Sequence, residues 1–90
     1  ADSPVAWMRM VKTCLDTNGD LALAERAITR AGELLPTPRA DLIYWRTRIA
    51  ERRGDDPAAV SAGYQQALAA PNCSDTLRSD IEARLAKRKP

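Results

Sequence analysis

The side chains able to do chemistry in this chain are few and of narrow type. Among 90 residues there is no His, and the only thiols are Cys14 and Cys73. Without an imidazole there is no His general base, no His-based triad and no His metal ligand. Two thiols are too few for a four-ligand structural zinc site or a disulfide-rich small fold. They leave two readings open. Either they are unpaired small buried groups, or they form one bridge in an oxidising compartment, which needs Cα atoms within about 7 Å. Asp20, Asp55 and Asp56 stand beside Gly and Pro, where a carboxylate caps a helix rather than sharing an acid–base pocket. No Gly-rich phosphate loop is present. These residues point away from an enzyme, and neither a cofactor nor a metal is expected. Asn72-Cys73-Ser74 fits the N-glycosylation acceptor pattern, a pattern short enough to arise by chance.

The cations are more numerous. Arg46, Arg48, Arg52 and Arg53 crowd one segment, with Arg46 and Arg53 on one helical face and Arg48 and Arg52 on another. Asp41, Glu51, Asp55 and Asp56 dilute them, and the whole chain carries only +2 from 14 basic and 12 acidic residues. A nucleic-acid binder wants a net basic surface and aromatics free to stack. Here Trp7, Tyr44, Trp45 and Tyr64 fall on or beside apolar stripes. A solvated charged face is the plainer reading, and nucleic acid the weaker alternative.

The elements that position these groups follow from punctuation. Ser3-Pro4, Thr37-Pro38 and Asp56-Pro57 each join a capping side chain to a Pro whose missing N–H costs the first helical turn nothing. Asp20 and Ser74 supply two further starts, the latter with Asp75 at the positive helix end. Asn18-Gly19 and Gly54 suit a left-handed helix stop, and Pro36 and Pro71 bar continuation. Five helices are predicted, about 4–17, 21–35, 38–53, 57–70 and 75–88. Apolar residues recur every three or four positions, as in Met8, Val11 and Leu15 with Trp7 and Cys14 beside them. No stretch alternates with period two, so no strand is expected, and no apolar run is long enough to span a bilayer.

The two halves repeat. Met8, Val11 and Leu15 return 34 residues later as Leu42, Trp45 and Ile49. Gly19-Asp20 returns as Gly54-Asp55, Ala24, Ile28 and Ala31 return as Val60, Tyr64 and Ala67, and Pro36 returns as Pro71. A helix-turn-helix unit of about 34 residues is the tetratricopeptide period. On these residues the chain resembles the tetratricopeptide repeat family. Lys12 and Arg46 depart from it, standing where the family has a small residue midway along its first helix, so their stems must run past that contact.

The resemblance implies an all-α, right-handed helical-hairpin array within a single domain over 1–90. Repeat one covers about 5–38, repeat two about 39–72, and a capping helix about 74–88. It implies a non-catalytic scaffold that holds a protein or peptide in a concave groove. By position that groove offers Arg9, Thr13, Asp16, Ile43, Tyr44, Thr47 and Arg78. Arg9 and Arg78 stand where some family members clamp a peptide's terminal carboxylates. Thr13, Tyr44 and Ser74 replace the rest of the clamp, so acidic or carboxylate groups are expected without that full specificity. Two repeats are fewer than the three or so an independent array needs. A homo-oligomer, a longer array or a completing partner is the alternative role, with Trp7 on the stacking face. The opening Ala1-Asp2-Ser3-Pro4 suits a processed secreted or periplasmic start as well as a segment cut from a longer cytoplasmic chain.

Overall fold

Capping chemistry accounts for most of the helix starts. In the computed structural model, which describes residues 3–17, 19–35 and 39–88, the Ser3 Oγ accepts from the Ala6 N–H at 3.4 Å and the Asp20 Oδ1 from Ala22 at 2.9 Å. The Asp56 Oδ1 accepts from Ala58 at 3.4 Å and the Ser74 Oγ from Leu77 at 3.2 Å. These open α1 (Pro4–Asp16), α2 (Leu21–Leu34), α4 (Pro57–Ala69) and α5 (Asp75–Arg88). Helix α3 (Ala40–Arg53) starts two residues later than expected. Thr37 and Pro38, the expected start, and Pro36, an expected stop, lie outside the described residues. At α3 the preceding Arg39 provides no side-chain cap. Asp41 takes that part from within the first turn. Its carboxylate accepts from the Leu42 N–H at 2.8 Å and forks onto the Arg39 guanidinium with two 3.0 Å bonds, a negative charge where the helix end is positive. No strand occurs among the described residues.

The stops divide. Gly54 is left-handed, with φ 88°, and its N–H reaches the Ala50 and Glu51 carbonyls. Gly19 is not left-handed. Its N–H closes α1 on the Cys14 carbonyl at 2.6 Å instead; Asn18 lies outside the described residues. Pro71 ends α4 as expected, with Ala70 before it extended. The Pro71 carbonyl then accepts from the Ala40 N–H at 2.9 Å, which ties the end of the second hairpin to its own start.

Helices α1 and α2 form one hairpin and α3 and α4 a second. Helix α2 lies against α3, α1 touches α3, and α5 closes on α4. The stack measures 44 × 27 × 19 Å. One core joins Val11 and Leu15 of α1 to Ala24 and Ile28 of α2 and Leu42 of α3; a second joins Tyr44, Val60, Tyr64 and Ile81. Trp45 packs against both. Ala24, Ala27 and Ala31 are fully buried, and their small side chains let α1 come close.

Two helical glycines show opposite local constraints. A Cβ on Gly63 would sit 2.5 Å from the Thr47 Oγ1, and Thr47 is a stiff β-branched residue bonded to the Ile43 carbonyl. A Cβ on Gly32 would sit 2.5 Å from the Arg46 Nη2, the far end of a flexible chain. Arg46 thus runs past the helix contact as its position demands. Gly63→Ala is expected to lower stability by up to about 2 kcal/mol, because overpacking outweighs the helix propensity gained. Gly32→Ala is expected to raise it by up to about 1 kcal/mol. Urea unfolding reads both, and in a Thr47→Ala background the Gly63→Ala change should become stabilising.

Candidate partner-binding surface

The seven positions expected to line one groove do not share one surface. Arg9, Thr13 and Asp16 are exposed on α1, and Arg78 is exposed on α5. Lys12 Nζ bonds the Asp16 Oδ2 at 3.0 Å. That hydrogen bond, helped by the fields of Lys12, Arg48 and Arg52, holds the Asp16 carboxyl below its ordinary value. Ile43 is half-buried and walls a cleft between α3 and α4 together with Thr47 and Gly63. Thr47 is only 6 % exposed and Tyr44 only 2 %. The expectation of an accessible Tyr44 and Thr47 is therefore corrected. Both are packing residues, drawn inward because α4 and α5 close on that side of α3.

Tyr44 is instead the centre of a polar network. Its hydroxyl accepts from the Arg48 Nη1 and from the Arg84 Nε, each at 3.2 Å. Its ring meets Trp45 edge-on, with centroids 4.9 Å apart. The Arg48 guanidinium lies 5.5 Å from the Trp45 centroid and 5.8 Å from that of Tyr44, a cation–π arrangement. The Tyr64 hydroxyl donates to the Glu51 Oε1 at 2.7 Å, and Arg84 Nη1 approaches the same oxygen at 3.7 Å. Helices α3, α4 and α5 are joined through these groups.

Burial, then the bond to Glu51, raises the Tyr64 hydroxyl well above the ordinary tyrosine value of 10.0. In the unfolded chain this hydroxyl ionises near that ordinary value, while in the fold it stays protonated. Its contribution to stability is present below the ordinary value and lost as the pH climbs through the window above it. Tyrosinate absorbance should therefore rise for Tyr64 only as the fold melts. Tyr64→Phe should flatten the alkaline loss of stability, and an unchanged alkaline slope would refute this.

The clustered arginines of α3 are mostly engaged. Arg52 Nη2 donates to the Leu15 carbonyl at 2.6 Å, satisfying a carbonyl at the C-terminal end of α1. Arg53 forks onto Asp55 at 3.0 and 2.7 Å and also bonds Glu25. The bonds to Asp55, then Glu25, raise its guanidinium further. A phosphate backbone would have to compete with these contacts and with the stacking of Arg48. The cysteines are both free. Cys14 belongs to the first core and Cys73 packs on the second. Asn72 of the tripeptide holds a left-handed turn, φ 67°, just before the α5 cap.

The two ends of the stack differ. At one end α5 buries Ile81 and presents Asp75, Asp80 and Glu82 to solvent. At the other end α1 exposes Val5 by 54 % and Met10 by 36 %. An open groove of about 800 Å³ runs along α2 with Trp7 of α1 at its wall, lined by Ala22, Leu23, Arg26 and Arg30 among others. Trp7 and Met10 are three residues apart and share one side of α1. The signal for this surface is visible in the sequence but subtle: Leu23 and Met10 are large apolar residues out of register with the buried stripes around them. Trp7 is the part of it that sequence reasoning singled out, and Leu23 and Arg26 are the parts it missed.

No helix among the described residues is long and apolar enough to cross a membrane. No family model matches this chain, and no curated protein or solved structure matches it.

Proposed function

We propose that this chain is a non-catalytic protein-interaction module, built as two tetratricopeptide-like hairpins and a closing helix, that takes a protein partner on the open side of its first hairpin. One observation carries the reading. The α5 end is covered by a polar helix, while at the α1–α2 end Val5 and Met10 are exposed and the half-buried Trp7 and Leu23 wall an open groove. A stacked helical array needs polar outer faces at both ends to stay soluble alone, so an apolar end marks a contact surface. The same surface would receive a neighbouring hairpin in a longer array, which is the same contact made by a linked partner. Nucleic-acid binding is less well supported, because Arg48, Arg52 and Arg53 have partners within the fold.

The test is capture on the immobilised protein. Partner retention should fall with Leu23→Glu and survive Arg9→Ala and Arg78→Ala, with helix content unchanged throughout by circular dichroism. Retention by Leu23→Glu together with loss in the two arginine variants would move the binding surface to the exposed face of α1 and α5 and overturn the proposal.

A further inference from the structure

Resting on that reading, we infer that the occupant of the open end is an amphipathic helix of a different protein, with an apolar stripe flanked by carboxylates. The groove follows α2 from Ala22 to Glu33, a length of about 16 Å or three helical turns. Its apolar wall is Trp7 with Leu23. The opposite side of this hairpin is already covered by a helix, α3, which seats its own apolar stripe on α1 and α2. The open side offers a second such seat.

The rim decides the sign of the partner's charge. Glu25 bonds Arg53, and Glu33 bonds Arg30 at 3.3 Å. Arg26 is exposed and has no hydrogen-bond or ion-pair partner among the described residues. The acids of this rim are engaged within the fold, so its uncommitted charge is positive, and a guanidinium fork is matched by a carboxylate. A second copy of this chain fits less well. Helix α5 exposes Asp75, Asp80 and Glu82 together with Arg78 and Lys87, and its exposed apolar side chains are only the small Ala83 and Ala86. A two-fold pairing of open ends would bring Arg26 toward its own equivalent, and like charges facing each other oppose association.

The experiment uses two synthetic helical peptides with the same Leu stripe, one flanked by Glu and one by Lys. Each is titrated into the full chain while tryptophan emission is followed, with Trp7→Phe separating the Trp7 signal from Trp45. The Glu-flanked peptide should shift the Trp7 emission to the blue and bind about fivefold or more tighter than the Lys-flanked one. Arg26→Glu should abolish or reverse that preference. Equal binding of both peptides would overturn the carboxylate inference while leaving the open-end reading standing. Absence of binding by either would overturn the inference outright. Sedimentation equilibrium completes the test: a monomer supports the inference, and self-association lost in Leu23→Glu would assign the surface to a second copy and overturn it.

Discussion

Tyr44→Ala is expected to destabilise the domain by about 3–5 kcal/mol, the range for removing a large buried aromatic ring. For 90 residues the total stability is about 5–13 kcal/mol, so this single change removes a large share of it. The cause is twofold. The ring is 2 % exposed between Trp45 and Tyr64, and its hydroxyl is the common acceptor of Arg48 and Arg84. Tyr44→Phe separates the two, because it keeps the packing and removes the acceptor. It should cost only about 1–2 kcal/mol, since both guanidinium groups retain access to solvent. Chemical denaturation measures both. A Tyr44→Ala protein as stable as the parent would show that the side chain is surface, as its position in the repeat implied, and not core.

Ile81→Ala is the second large effect, at about 2–5 kcal/mol. Ile81 is fully buried, and on α5 its neighbours Leu77 and Leu85 are only half-buried. Ile81 is the fully buried anchor of this helix, with Leu77 and Leu85 packed beside it on the same core and Arg84 reaching Tyr44 and Glu51. Loss of the anchor should therefore release α5 before the rest, so hydrogen exchange should speed up in 75–88 more than in α1 and α2. Ser79→Ala, on the exposed side of the same helix, should change stability by about 0.5 kcal/mol or less. Uniform acceleration of exchange across all five helices would show that α5 is no separate unit.

The helices were legible because their causes are local. Ser3, Asp20, Asp56 and Ser74 each cap within two or three residues of themselves, and Gly54 needs only its own backbone to turn left-handed. Helix α3 starts at Ala40, two residues later than expected, and for a related reason: Asp41 does the capping from inside the first turn, where spacing alone gives no sign of it. The surface was less legible. Position within a repeat suggested which side of α3 was open, but whether Tyr44 and Thr47 stay open depends on how α4 and α5 close over them. That closure rests on contacts such as Arg84 to Tyr44, 40 residues apart, and on the fit of Thr47 against Gly63. Arg52 reaching Leu15 across 37 residues is another such contact; the sequence shows an arginine cluster and not its acceptors. Trp7 could be singled out because it is a large aromatic beside, and not within, the Met8, Val11 and Leu15 stripe of the first helix. Leu23 could have joined it, since it stands off the Ala24, Ile28 and Ala31 stripe of its own helix.

The most direct measurement maps backbone amide shifts of the full chain as the Glu-flanked helical peptide is added. The account predicts that the Trp7 indole and the amides of Trp7, Leu23 and Arg26 move first and furthest, with Thr13, Asp16 and Arg78 unmoved. Shifts centred on Thr13, Asp16 and Arg78, with the Trp7 indole unchanged, would contradict it.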